Sequence, residues 1–194
     1  MIESLQDAWK WYESVWDLAH DMEHLAGCCD TPEWTAAMML DSRLSKRTAA
    51  ELRDMANAIL DDIDDLAVLV LFSVFEASVR AQAVADVDRE VGRISHVAIL
   101  RAIEDLKDAI ENGSFAKVTR AFKRMDTDLT AQIDQIRKFR NWVAHGRRDE
   151  PENRTNPKDA FDRLSRYLRL LAMTSSPGDE PSEKLTSPRK PPDT

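Results

Sequence analysis

The stretch Thr127–Arg148, TDLTAQIDQIRKFRNWVAHGRR, has the periodicity of an amphipathic helix. Asp126 or Thr127 is placed to cap its start, and Gly146 stands where a chain leaves a helix in the left-handed conformation. At about 100° per residue, five apolar side chains share one stripe: Leu129, Ile133, Ile136, Phe139 and Val143. The pattern predicts a helix that packs this stripe into a core.

Arg140 falls in the middle of the apolar stripe. A guanidinium aimed into a core loses hydration worth several kcal/mol, unless a carboxylate, a carbonyl or a ligand anion receives it. Asn141 and His145, spaced i and i+4, share the flank beside the stripe, so both can face one pocket with Arg140 at its edge. The convergence of these three side chains at a helix end indicates a site for phosphate.

The composition is that of one soluble helical domain. The chain has 194 residues, of which 43% are hydrophobic and 32% charged, which is enough material for a sizeable core. Helix formers dominate and no stretch alternates for long with period two, so we expect an all-α fold. The adjacent Cys28 and Cys29 cannot form a disulfide framework, which favours a reduced, cytoplasmic location. Because the N-terminal residues begin acidic and amphipathic, we expect no secretory signal there.

The remaining sequence predicts an up-and-down helical bundle with additions at both ends. Three segments are expected: an N-terminal helical extension over 1–47 that packs on the bundle, the bundle itself over 48–173, and a disordered tail over 174–194. The extension contains a first helix over about 3–26 and a short helical piece from Pro32 to near Leu40. The tail holds five of the eight prolines and no apolar periodicity.

Helix boundaries inside the bundle follow from capping signals. Thr48 and Glu51 have the spacing of a capping box, so a long helix is predicted from there to about Val91. Ser95 is the predicted cap of the next helix, which ends at Asn112. A shorter basic helix follows over 114–124, and the last helix begins with Pro157 at its first position.

The middle of the long helix, LAVLVLFSVFEASV over 66–79, is apolar on all sides and is therefore expected at the centre of the bundle. Its longest apolar run, Leu66 to Phe75 with one serine, is only about half a membrane span in length, so no membrane partner is expected. Glu76 interrupts the longer stretch. It could pair with Arg80 one turn later, or receive Arg140 across the bundle and orient it. The sequence leaves both interpretations open, and both pairs could exist together.

Charge is unevenly distributed along the chain. The net charge of −8 argues against general coating of nucleic acid, yet nine basic and only three acidic residues lie between Lys117 and Arg148. Between Glu51 and Asp65 the balance reverses. The aspartates of that segment spread around a helix, so we interpret them as a solvated surface rather than a magnesium site. Neither a metal nor a cofactor is predicted.

The string RNWVAH, Arg140 to His145, resembles the R-x4-H motif of the HEPN superfamily, in which Asn often follows the Arg directly. The longer string KFRNWVAHG, followed by a basic polar loop, extends the resemblance, which covers roughly 48–173. Members of this superfamily are compact helical bundles, and many are metal-independent ribonucleases. The fold expected from the resemblance is HEPN-like.

The resemblance implies a homodimer in which two copies of the motif form one composite site. RNA would be cleaved by attack of its own 2′-hydroxyl on the adjacent phosphate, with catalytic roles for Arg140, Asn141 and His145. Glu76 and Arg80 would support these residues. Three further arginines would contact neighbouring RNA phosphates: Arg137, Arg147 and Arg148.

Such a protein is expected to act as a toxin or phage-defence effector, with an antitoxin or defence-system protein as a possible partner. HEPN proteins controlled by a nucleotidyltransferase antitoxin often carry a tyrosine at the position of Arg147, so that route of control is not indicated. The alternative function is a non-catalytic HEPN-like module that binds a nucleotide, RNA or a partner protein. A metal-dependent nucleotide hydrolase is disfavoured, because the chain lacks paired acidic motifs on facing helices.

Overall fold

A computed structural model describes residues 2–28, 47–92, 94–121, 126–147 and 153–175. These residues form helices and connecting turns, with no strand among them. The helices are α1 (Leu5–Cys28), α2 (Ala49–Val91), α3 (Val97–Asn112), α4 (Phe115–Ala121), α5 (Thr127–Ala144) and α6 (Pro157–Ser175). The prediction of an all-α fold is confirmed. The expected helical piece at Pro32–Leu40 and the tail after Ser175 lie outside the described residues.

Helix α2 is the element on which most of the others pack. Its start is the predicted capping box: the Thr48 side chain accepts from the Glu51 N–H, and the Glu51 carboxylate accepts from the Thr48 N–H at 2.8 Å. This exchange satisfies backbone donors that the helix start would otherwise leave free. At about 1.5 Å per residue, α2 is about 64 Å long. Helices α1, α3, α5 and α6 all contact it along this length.

The core lies between α2, α5 and α6. All five apolar residues of the predicted α5 stripe are buried, as expected. From α2 they meet Phe72 and Phe75, both fully buried, and Phe75 makes edge-to-face contacts with Phe115 and Tyr167 at centroid distances of 5.8 and 5.4 Å. Burial of each large apolar side chain contributes about 1.5–3 kcal/mol. This packing fixes α5, and with it Arg140, against the middle of α2.

Helix α1 lies along the first half of α2. The Tyr12 hydroxyl donates to Asp64 at 2.8 Å, and a separate apolar cluster joins the end of α1 to the start of α2: Met22, Ala26, Leu52 and Ala56. The N-terminal helix therefore packs on α2. The boundary that we predicted near residue 48, between an extension and a bundle, stays a prediction.

One expectation from the sequence is wrong: His96, and not Ser95, occupies the position before α3, and its side chain makes no capping hydrogen bond. The apolar run in the middle of α2 lies at the centre of the core, as expected, but it is not covered on all sides, because Leu66 is 43% exposed and Ser73 and Ala77 are also exposed. One face of the central helix thus remains open to solvent.

The buried side chain of Tyr167 allows a test of how the core contributes to stability. It is only 3% exposed, and its hydroxyl has no hydrogen-bond partner among the described residues. Burial raises the pKa of Tyr167 to about 12, whereas tyrosine in an unfolded chain has a pKa of about 10. Because the folded state disfavours the phenolate, the stability associated with this group is complete below about pH 10 and is lost as the pH rises towards 12.

We therefore expect Tyr167→Phe to have equal or slightly higher stability at pH 7, since it removes a buried, unpaired hydroxyl. We also expect it to lose less stability than the wild type between about pH 9 and pH 11. Urea unfolding across this pH range measures both effects. Tyr12→Phe, by comparison, should cost about 1 kcal/mol at pH 7, because it removes the hydrogen bond to Asp64. Parallel alkaline losses in the wild type and Tyr167→Phe would contradict the expectation.

Candidate functional site

The end of α5 turns the chain sharply after the R-x4-H string. The His145 N–H donates to the carbonyl of Asn141 at 3.0 Å and closes the last turn of the helix. Gly146 and Arg147 then adopt left-handed φ values of 81° and 55°, and the Arg147 N–H returns to the carbonyl of Trp142 at 3.0 Å. The left-handed glycine is the one predicted from the sequence. The turn directs the Arg147 side chain back towards α2.

Arg140 is received by a carboxylate, as its place in the apolar stripe requires. Its Nη2 lies 2.5 Å from Oε2 of Glu76, and the side chains of Arg140 and Glu76 are 25% and 20% exposed. The guanidinium carbon lies 5.0 Å from the centre of the Phe72 ring, a cation–π contact. Nη1 donates to Oδ1 of Asn141 at 3.1 Å. The arginine is therefore held in one orientation at the edge of the core.

Glu76 binds a second arginine with its other oxygen. Nε and Nη2 of Arg80 donate to Oε1 at 3.1 and 2.6 Å, while Oε2 accepts from Arg140. Both pairs that the sequence left open are present. One carboxylate between two guanidiniums leaves the group with a net charge of about +1. The cluster Arg140–Glu76–Arg80 is therefore cationic although its members are paired.

Arg80 also fixes the end of α3. It donates to the carbonyls of Ile110 and, at 3.0 Å, of Gly113, and it lies over the ring of Phe115 at 5.5 Å. Carbonyls at a helix C-terminus have no partner within the helix, so an arginine from a neighbouring helix can satisfy them. Sequence reasoning missed this contact. The sequence predicted only the helix end at Asn112, which does not say which side chain lies nearby.

His145 lies five residues beyond Arg140 and is exposed. Its imidazole makes no hydrogen bond, ion pair or ring contact with any residue in the described ranges. The site thus combines an anchored guanidinium, a half-buried amide and an accessible imidazole within six consecutive residues of α5 and its cap. Such an arrangement can bind an anion and exchange a proton with it.

The arginines predicted to contact RNA are engaged with carboxylates. Arg137 donates to Asp134 at 2.9 and 2.7 Å. Arg147 reaches Asp62 at 2.5 Å and Asp65 at 3.0 Å, and the hydrogen bond to Asp62 raises the pKa of its guanidinium above the usual range. Arg148 lies outside the described residues. The acidic segment of α2 therefore anchors the turn that follows the R-x4-H string.

A cavity lies beside α5, apart from the Arg140 site. This cavity of about 370 Å³ between α4 and α5 includes Phe115, Thr130, Ile133 and Arg137 in its lining, but none of the three candidate catalytic residues. Within the described part of the chain, no three His, Cys, Asp or Glu side chains are placed to hold a metal ion.

No described helix has the length and apolar character needed to cross a bilayer. Comparison with protein-family models, with curated proteins and with solved structures gives no match for this chain.

Proposed function

We propose that this protein is a metal-independent RNA endonuclease with a HEPN-like, up-and-down bundle over 48–173. The observation that carries the proposal is the orientation of Arg140, which Glu76 holds five residues before an accessible His145. The reaction type is inferred from the R-x4-H string, in which Asn directly follows Arg. The substrate's 2′-hydroxyl attacks the adjacent phosphate and displaces the 5′-oxygen of the next nucleotide.

Arg140 holds the non-bridging oxygens of that phosphate. A planar guanidinium suits this task because its parallel N–H groups match two oxygens at once. If Arg140 were the only arginine bound to Glu76, the two charges would cancel. Arg80 offsets the same carboxylate through the other oxygen, so the cluster retains positive charge for the phosphorane. Arg80 is a positioning residue in this scheme.

His145 moves protons. Cleavage requires one group that takes a proton from the 2′-hydroxyl and another that gives a proton to the leaving oxygen, and histidine performs either task near neutral pH. One chain supplies a single histidine at this site. Two copies of the chain supply both groups, so the proposal includes a homodimer with a composite site. Asn141 contacts both Arg140 and His145. Its side-chain oxygen accepts a hydrogen bond from Arg140, and its main-chain carbonyl accepts one from the His145 N–H.

Arg137 and Arg147, together with Arg148, contact flanking phosphates when RNA competes with the carboxylates that bind the first two. The biological role that fits such an enzyme is a toxin or phage-defence effector in the cytoplasm, neutralised or triggered by a partner protein. The adjacent cysteines agree with a reducing location.

One observation favours a second function. Because Arg137 and Arg147 are both paired with aspartates, the surface offers RNA less free positive charge than the sequence suggests. A non-catalytic HEPN-like module that binds a nucleotide, RNA or a partner protein is therefore the alternative. It shares the Arg140 site but has no role for His145 in proton transfer.

RNA cleavage in the presence of EDTA distinguishes the two functions. We expect the purified protein to degrade structured RNA with the chelator present, because no step of the proposed reaction uses a metal ion. Binding without cleavage, measured by gel shift on the same RNA, would instead support the module. Cleavage that requires Mg²⁺ would contradict both.

A further inference from the structure

Helix α3 is apolar on two adjacent faces, and one of them is exposed. Three residues of the first face are half-buried, on the side of the helix that packs on α2: Leu100, Ile103 and Ile110. The second face is a row of exposed apolar side chains at alternating spacings of three and four residues: Ile99, Ala102, Leu106 and Ala109. Ile99 and Leu106 are 48% and 47% exposed, and no described residue of α3 is buried. We call these four residues the α3 stripe.

The spacing of the α3 stripe is typical of a contact between helices. An alternation of three and four residues keeps apolar side chains on one face, as at the a and d positions of a coiled coil. At 1.5 Å per residue, the stripe is about 15 Å long. Ile99 and Leu106 supply apolar area, while Ala102 and Ala109 allow a neighbouring backbone to come close. Because α2 covers the adjacent face, α3 has the surface of a helix that packs against two others, and the described residues supply one of these.

The segment 29–46 cannot reach the α3 stripe. It leaves from Cys28 and returns to Arg47, so it extends at most about 34 Å from these ends. Both ends lie near the start of α2, where the end of α1 packs. Lys107, in the middle of α3, binds Asp88 at 2.5 Å, about 62 Å along α2 from Arg47. The apolar side chains of this segment are therefore excluded as the cover of the stripe.

The other segments outside the described residues are also unsuited to this role. Residues 122–125 and 148–152 are tethered at both ends and extend at most about 10 Å from them, which is less than the length of the stripe. Residues 176–194 are long enough, but they contain one large aliphatic side chain, Leu185, and no aromatic residue. A matching apolar surface must therefore come from another molecule.

The polar surface of α3 is acidic. The helix has four acidic and two basic residues, a net charge of −2: Glu104, Asp105, Asp108 and Glu111 against Arg101 and Lys107. The amine of Lys107 is bound to Asp88 and lies 3.7 Å from Glu104. At about 100° per residue, Asp105 lies beside the stripe on the edge away from α2. A molecule that approaches the stripe therefore meets negative charge.

This negative charge decides which kind of molecule fits the stripe. Nucleic acids and anionic membrane surfaces are repelled by it, and helices that lie on membranes usually carry lysine and arginine on their polar face. A second copy of α3 would bring its own acidic edge against this one, so that like charges faced each other. Lysine or arginine side chains beside an apolar row would instead meet Asp105 with the favourable sign.

We infer that the α3 stripe binds an amphipathic helix of another protein, with apolar residues at the same spacing and lysines or arginines beside them. The bound helix places its apolar row on the stripe and its basic side chains near Asp105. The contact is only about three turns long, so the complex is expected to exchange rather than to be permanent. Helix α3 contributes no side chain to the Arg140 site and meets Arg80 through main-chain carbonyls. The inference therefore goes beyond the proposed function and does not depend on it.

Two synthetic peptides of three heptads test this surface. Both have leucine and alanine at the a and d positions, and the flanking positions are lysine in one peptide and glutamate in the other. Fluorescence anisotropy of the labelled peptides measures their binding to the full chain. We expect the lysine peptide to saturate at one per chain and to bind at least about tenfold more tightly than the glutamate peptide. The difference should shrink at about 1 M salt, which screens the charges.

Substitutions on the stripe separate apolar contact from charge. The double variant Ile99→Ser, Leu106→Ser should bind the lysine peptide at least about tenfold more weakly, and either single substitution should give part of that loss. Met173→Ser is the matched control, because Met173 is 72% exposed but lies on α6, and it should bind as the wild type does. Asp105→Lys should reduce the preference for the lysine peptide. Circular dichroism and sedimentation verify the fold and the mass of each variant.

Equal binding of the two peptides, no binding of either, or unchanged binding by the double variant would overturn the inference. A wild-type dimer that the double variant converts to a monomer would also overturn it, since a second copy would then occupy the stripe. The peptide experiments contain no RNA. Their failure would leave the proposed nuclease standing, whereas RNA that stays intact in EDTA would leave this surface standing.

Discussion

His145→Ala is expected to reduce the rate of RNA cleavage by about 10²–10⁴-fold, the usual contribution of a positioned acid or base. The fold should be unaffected. His145 is exposed, and its imidazole contacts none of the described residues, so the change in unfolding free energy should stay within about 0.5 kcal/mol. Initial rates on a defined RNA, compared with the urea midpoint of the same samples, measure both quantities.

His96→Ala is the matched control for this substitution. His96 is also exposed, lies next to a helix end and makes no capping bond through its side chain. It lies before α3, which contributes no side chain to the Arg140 site and meets Arg80 only through main-chain carbonyls at its far end. We expect His96→Ala to cleave RNA at the wild-type rate. Equal rates for His145→Ala and His96→Ala would remove His145 from the reaction and leave the non-catalytic module as the better account.

Glu76→Ala is expected to destabilise the chain by about 2–3 kcal/mol. Removal of one partner from a fully buried ion pair costs about 3–5 kcal/mol. The side chains of Arg80, Glu76 and Arg140 are 17%, 20% and 25% exposed, so part of that cost is relieved by solvent. The substitution leaves two guanidiniums close together with no carboxylate between them. Cleavage should fall as well, because Arg140 loses the group that orients it.

Two further variants give this second prediction its controls. Glu76→Gln keeps an acceptor of the same shape for one arginine and should lose less stability than Glu76→Ala. Glu90→Ala removes an exposed glutamate near the end of the same helix and should change stability by no more than about 0.5 kcal/mol. Urea unfolding with a constant m-value measures all three. If Glu76→Ala and Glu90→Ala unfolded at the same urea concentration, Glu76 would not be the residue that holds the site together.

The parts of the fold that could be predicted are those set by local sequence. The capping box at Thr48, the buried stripe of α5 and the left-handed Gly146 all follow from residues within one or two turns of each other. The partner of Arg140 could also be anticipated. A carboxylate in the middle of an apolar helix and a guanidinium in an apolar stripe each need an opposite charge, and Glu76 was available.

The parts that could not be predicted depend on how the helices are placed in space. The binding of Arg80 to the end of α3, and of Arg147 to Asp62 and Asp65, joins residues distant in the sequence. The open face of α2 was missed for a related reason. A helix that is apolar on all sides carries no mark of which face its own chain covers, so Leu66 appeared equivalent to Phe72.

The 3′ ends of the RNA products test the central claim most directly. Wild-type protein and His145→Ala are incubated with one RNA in EDTA, and the product ends are identified by mass spectrometry. Attack by the 2′-hydroxyl at the Arg140–His145 site predicts 2′,3′-cyclic phosphates from the wild type and almost none from the variant. Intact RNA with both proteins, 3′-hydroxyl ends, or equal yields of cyclic phosphate from both would contradict it.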